Sequence, residues 1–130
     1  MNGQLRLDWP FINLVPGGYG VILADPPWKY ELYSEKGEGK SPQRHYSCMS
    51  TAEIAAMPVQ QLAARDCWLV LWTTWPMLLD AIDVLKAWGF TYSTGAPWVK
   101  QSRAGRTWAF GGGYVLRSAS EPFLIGRRGR

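Results

Sequence analysis

Val21-Ile22-Leu23-Ala24, followed at once by Asp25-Pro26-Pro27-Trp28, is the stretch on which the fold reading turns. A continuous apolar run with β-branched members is what a strand buried on both faces of a parallel sheet requires. Two successive prolines cannot continue a hydrogen-bonded ladder, so the strand must stop there. A polar group just past the carboxyl end of such a strand stands where α/β sheets bind their ligands, which singles out Asp25.

Upstream, residues Met1 to Gly20 mix Pro10, Pro16, Gly17, Gly18 and Gly20 with scattered apolar positions and read as an irregular lead-in. Downstream, Lys29 to Ser47 is polar and rich in Gly, Ser, Lys and Glu, a loop long enough to suggest a lid. Ser50 with Glu53 forms a capping-box pattern, which starts a helix through Ile54 to about Met57. Pro58 then opens a second helical turn toward Ala64.

Cys67-Trp68-Leu69-Val70-Leu71-Trp72 is the second buried-strand candidate. Thr73 or Thr74 caps the helix that follows, with Pro76 in its first turn. Leu78, Ala81, Ile82, Leu85 and Trp88 recur at three- and four-residue steps on one face, and Gly89 stops the helix. Phe90 to Thr94 and Pro97 to Lys100 read as extended pieces, Arg103 to Gly113 as a basic, Gly-rich loop, and Pro122 to Ile125 as the last strand. Strands alternating with helices predict an α/β layer around a mostly parallel sheet.

The chain of 130 residues, 47% hydrophobic, suits a single domain over 1–130 with residues 1–20 as its lead-in. It shows no basic-then-apolar leader and no apolar run near the roughly 18 residues that span a bilayer, so a cytoplasmic protein without a membrane partner is expected. Cys48, Cys67 and a single histidine lack metal-ligand spacing, so no metal site is expected and both thiols read as reduced.

The net charge of +4 is unevenly placed, with Arg103, Arg106, Arg117, Arg127, Arg128 and Arg130 in the last third. Such a surplus suits either a polyanionic partner or a solvated basic face. Most of the 8 tryptophans must be core, while one or two near a cleft would offer flat surfaces for stacking a base. Gly111-Gly112-Gly113 lacks the spacing of a phosphate-cradling loop and reads as a turn.

From about Val21 to Gly129 the sequence resembles the N6-adenosine methyltransferase family, in its bacterial and phage branch. The resemblance rests on Asp25-Pro26-Pro27-Trp28, His45-Tyr46 with Met49, Glu53-Ile54 with Pro58-Val59, Leu71-Trp72-Thr73, Trp88-Gly89-Phe90, Trp98-Val99-Lys100, and Glu121 ahead of Leu124-Ile125-Gly126. Separate motifs in family order are far more specific than the tetrapeptide alone.

The resemblance implies a Rossmann-like methyltransferase sheet and S-adenosyl-L-methionine-dependent methylation of adenine N6 in nucleic acid, with DNA favoured over RNA. Asp25, Pro26, Pro27 and Trp28 would form the catalytic loop, Asp25 and Pro27 would also touch the methionine end of the cofactor, and Tyr46, Trp98 and Glu121 would line the acceptor-base pocket. Lys100, Arg103 and Arg106 would guide the nucleic acid. In family members the chain runs on past the position of Arg130 through elements that hold much of the cofactor, so the domain is expected to be incomplete on its C-terminal side. A homo- or hetero-oligomer could complete the site, in a bacterial or phage-infected cell. The competing reading is a non-catalytic nucleic-acid- or partner-binding protein that keeps the acceptor half of the fold.

The chemistry such a loop must perform is specific. The lone pair of an exocyclic adenine nitrogen is delocalised into the ring, and acceptors for its two hydrogens draw it back out. A carboxylate at position 25 and the carbonyl of Pro26 supply two acceptors, with the prolines fixing their aim and Trp28 stacking on the base. His45 has no nucleophile to activate and reads as structural.

Overall fold

The computed structural model describes residues 9–29, 47–111, 116 and 118–130. Of the features expected from sequence, His45, Tyr46, Gly112, Gly113 and most of the polar 29–47 loop lie outside them.

Four strands form one sheet in the order β1-β2-β4-β3, with β1 Tyr19–Ala24, β2 Ala63–Trp72, β3 Thr91–Val99 and β4 Ser120–Arg128. Among the described residues, α1 Thr51–Ala56 and α2 Leu78–Ala87 lie between the first three strands, with short 3-10 turns at Val59–Gln61 and Trp75–Met77. The first helix begins where the capping box placed it. The Ser50 hydroxyl accepts from the Glu53 backbone N–H and the Glu53 carboxylate accepts from the Ser50 N–H, each at 3.1 Å. Gly89, at φ 82°, takes the left-handed turn that lets the chain leave α2 for β3.

The sheet is mixed, which corrects the expectation of a mostly parallel one. β1 and β2 pair in parallel, whereas β4 is antiparallel to both β2 and β3. β1, β2 and β3 still run in one direction; β4 is inserted against them. Apolar content marks a segment as a strand but is silent on its direction, and the reversed β4 reads no differently from a parallel strand. The structure also joins the two expected pieces after Gly89 into the single strand β3, whose register slips between Tyr92 and Thr94. A further correction concerns β2, which starts at Ala63 instead of Cys67 and so cuts the second helical turn short.

One face of the sheet is sealed. Leu69 and Leu71 of β2 and Leu124 of β4 pack with Ile54 of α1, Ala81, Val84 and Leu85 of α2, and Trp88 and Phe90 just beyond it. The Trp88 indole N–H donates to the Ile54 carbonyl at 3.0 Å, satisfying the one polar atom this large ring brings into the core. Gly126 lies under α2 so closely that a Cβ there would meet Leu85 Cδ1 at 3.0 Å and Phe90 Cβ at 3.1 Å.

The opposite face is apolar but open among the described residues. Val21 and Leu23 are 63% and 68% exposed, and Trp68, which pairs with Val21, is exposed too. Val70, Trp72, Phe123 and Ile125 on the same side are half-buried. The expectation that β1 is buried on both faces is thus overturned: among the described residues β1 is an edge strand, and the described helices pack on one side of its sheet.

Candidate active site

Because β1, β2 and β3 run together and β4 runs against them, the carboxyl ends of three strands and the amino end of the fourth meet at one edge. The register fixes this, with Trp72 opposite Phe123 and Trp98 opposite Glu121. Asp25 follows the last residue of β1 at the same edge. Although Asp25 lies 73 positions ahead of Trp98 and 96 ahead of Glu121 in the chain, topology alone gathers the three.

The Asp25-Pro26-Pro27-Trp28 loop is held by its own backbone and by its tryptophan. The Trp28 N–H donates to the Pro26 carbonyl at 2.9 Å, a tight turn centred on Pro27. The Met49 N–H donates to the Pro27 carbonyl at 2.8 Å and the Lys29 N–H to the Met49 carbonyl at 3.2 Å, which straps the loop to the segment ahead of α1. Trp28 is only 5% exposed, and its indole N–H donates to the carbonyl of Trp72 at 2.9 Å, linking the end of β1 to the end of β2. The ring expected to lie over a base is therefore an anchor within the core.

Asp25 itself faces solvent, yet its surroundings desolvate it enough to push its carboxyl above the ordinary aspartate value, and the charge of Glu121 pushes in the same direction. Glu121 is in turn paired with Lys100, Nζ to Oε1 at 2.9 Å, with both side chains partly exposed. Lys100, which the family pattern assigns to nucleic acid, is thus engaged by a carboxylate of this edge.

Aromatic rings line the rest of the edge. Trp98 is 60% exposed and meets Trp72 edge-on at 5.9 Å between ring centroids, and Trp72 tilts against Phe123 at 5.1 Å. Sequence reasoning missed Trp72 as a site residue. The signal that marked Asp25, a position at the carboxyl end of an apolar strand, applies equally to it. Trp75, whose indole N–H donates to Ser120 Oγ at 3.0 Å, closes the turn after β2 onto β4. Arg103 and Arg106 are exposed in the loop beyond β3.

The family model described as MT-A70 matches residues 19–130. A Type II methyltransferase, M.MunI, from Mycoplasma sp is 32% identical over 103 residues, covering 68% of this chain and 44% of that protein. The N(6)-adenosine-methyltransferase MT-A70-like protein of Drosophila melanogaster is 30% identical, covering 96% of this chain and 19% of its own length. The N6-adenosine-methyltransferase non-catalytic subunit MTB of Arabidopsis thaliana is also 30% identical over 96% of this chain, and 16% of its own length is covered. The chain spans less than half the length of each of these relatives.

Proposed function

This chain belongs to the MT-A70 family of methyltransferases, and from that membership we propose that it contributes the acceptor side of an S-adenosylmethionine-dependent adenine N6-methyltransferase acting on nucleic acid. The observation that carries the proposal is the convergence of the Asp25 carboxylate, the Pro26 carbonyl, Trp98 and Glu121 at one sheet edge. DNA is the favoured acceptor, on the strength of the sequence resemblance to the bacterial and phage branch of the family.

Asp25 accepts one hydrogen of the adenine N6. The Pro26 carbonyl, which already accepts from Trp28, retains a second lone pair for the other. Drawing on both hydrogens turns the nitrogen lone pair out of the ring, and because the acceptors are held in place they cost no rearrangement during reaction. The methyl–sulfur bond would break as the N–C bond forms, leaving a neutral thioether, and the solvent-facing Asp25 carboxylate would relay the departing N6 proton to water. Trp28 positions this loop from beneath and Trp98 offers its exposed ring to the base. Tyr46, at a position matching the family motif, completes the acceptor pocket in this reading.

The donor set suits a cationic cofactor. A sulfonium bearing an α-ammonium group favours an acidic edge, and Asp25 with the Pro27 backbone would hold its methionyl end. When bound, S-adenosylmethionine supplies an electrophilic methyl group. Incubating the protein with methyl-labelled S-adenosylmethionine and single-stranded DNA or RNA tests the reading: label in N6-methyladenine supports it, and label absent from both acceptors, with or without a partner subunit, sinks it.

The likeness to a non-catalytic subunit supports a second reading, in which the same edge binds nucleic acid or a catalytic partner without turnover. Calorimetric titration with S-adenosylmethionine, of the protein alone and together with a candidate partner subunit, tests the first reading, which is removed if neither gives a heat of binding.

A further inference from the structure

The segment beyond β3 is a built hairpin. The Ala109 N–H donates to the Lys100 carbonyl at 3.0 Å and the Ser102 N–H to the Thr107 carbonyl at 2.7 Å, which makes Gln101 and Trp108 a directly opposed pair between two hydrogen bonds. Its tip turns through Arg103-Ala104-Gly105-Arg106, closed by the Gly105 N–H on the Ser102 carbonyl at 2.8 Å, with Gly105 at φ 69°. The base of the hairpin is tied to the sheet, the Lys100 N–H donating to the Ala119 carbonyl at 2.7 Å just ahead of Glu121. Trp108 is 54% exposed on this small, two-stranded arm, where a large apolar ring gains little from folding.

Alternation along β3 settles which way this ring points. Trp98 and Lys100 share the side of the strand that bears Glu121, so Gln101 and its partner Trp108 project from the other side. Trp108 consequently does not belong to the acceptor pocket, although the hairpin is rooted beside it. An exposed indole on a hairpin whose tip carries Arg103 and Arg106 combines a stacking surface with cations that attract a phosphate backbone, the pairing by which proteins hold unpaired nucleotides.

We propose that the hairpin 100–109 is a nucleotide clamp, in which Trp108 stacks on an unpaired base neighbouring the target adenine while Arg103 and Arg106 engage the backbone. This rests on the reading that the acceptor is nucleic acid. It assigns the loop a division of labour: a salt-independent stacking interaction from Trp108, and a salt-dependent one from the two arginines.

Fluorescence anisotropy of a labelled single-stranded oligonucleotide with one adenine measures each part. Trp108→Ala is expected to weaken binding on the order of tenfold, the usual worth of one stacked base, with the salt slope unchanged. Trp108→Phe should restore most of the affinity and Trp108→Leu, which keeps apolar bulk without an aromatic face, should not. Removing the base next to the adenine should cost the wild type about as much as Trp108→Ala does, and cost the Trp108→Ala variant little. Arg103→Ala with Arg106→Ala should instead flatten the salt slope by about 0.7 for each phosphate that is no longer neutralised. Wild-type affinity in Trp108→Ala, full affinity in Trp108→Leu, or equal losses on base removal in both proteins would overturn the clamp while leaving the acceptor reading intact. A wild type that binds no oligonucleotide overturns both.

Discussion

Leu69, Leu71 and Leu124 project from one side of the sheet and are sealed beneath the helices, whereas Val21, Leu23 and Trp68 project from the other and remain exposed to water. The two faces are similar in residue type and opposite in environment. The sealed face holds the fold together through close packing, down to the glycine that α2 requires at position 126. The open face leads at the carboxyl end of the strands into Trp72, Trp98 and Glu121, the residues of the candidate site. Stability and chemistry are thus separated across the thickness of one sheet, and substitutions on the two sides should have different consequences.

The largest difference is expected in unfolding free energy. Leu71→Ala removes a fully buried side chain and should cost about 2–5 kcal/mol in urea denaturation. Leu23→Ala, on the open face, should stay within about 0.5 kcal/mol. Equal costs would break the comparison, because they would mean that the open face is covered in solution.

At the edge, the contrast moves from stability to rate. Asp25→Ala should lower methyl transfer by at least about 10²–10³-fold, the range for removing one oriented electrostatic partner of a transition state. Its thermal midpoint and its affinity for oligonucleotide should change little, since Asp25 is solvent-facing and takes no part in the core. Retention of full transferase activity would remove Asp25 from the mechanism.

Gly126→Ala tests how tightly the sealed face is packed. A methyl group there lands 3.0 Å from Leu85 Cδ1 and 3.1 Å from Phe90 Cβ, so helix or strand must shift, at a cost of about 1–3 kcal/mol. A neutral result would show that α2 rides more loosely on the sheet than these distances indicate.

How much of this was legible in the sequence follows from what each signal encodes. The capping box at Ser50 and Glu53, the apolar stripe of α2 and the stop at Gly89 are local features, and each is found where it was read. The direction of β4 and the exposure of β1 depend on partners distant in sequence, and a run such as Val21-Ile22-Leu23-Ala24 looks the same in a central strand and at an edge. Within the site, Asp25, Trp98 and Glu121 were named from the family pattern and the sheet brings them to one edge. Trp28, read as a stacking surface, is buried with its indole N–H on the Trp72 carbonyl, and Lys100, read as a nucleic-acid contact, also pairs with Glu121. Both interactions run between strands, which spacing along the chain does not record.

The smallest effects should come from the charges around Asp25. Desolvation, and then the negative charge of Glu121, raise its carboxyl above the ordinary aspartate value in the folded protein. Its ionised form is therefore disfavoured by folding: there is no cost below the ordinary value, and the full cost is present once pH exceeds the raised one. Asp25→Asn should accordingly be slightly stabilising at neutral pH and neutral in acid. The same shift sets the acidic limb of activity, because the carboxylate must be ionised to accept from N6, so the limb should lie above the range of a free aspartate. Glu121→Gln removes the repelling charge and should move the limb to lower pH even as turnover falls. Lys100→Met leaves Glu121 without its counter-charge at 2.9 Å and should move the limb to higher pH. Limbs that coincide in all three proteins would show that Asp25 titrates independently of the Glu121–Lys100 pair, and the open edge would then act as separate groups instead of one coupled site.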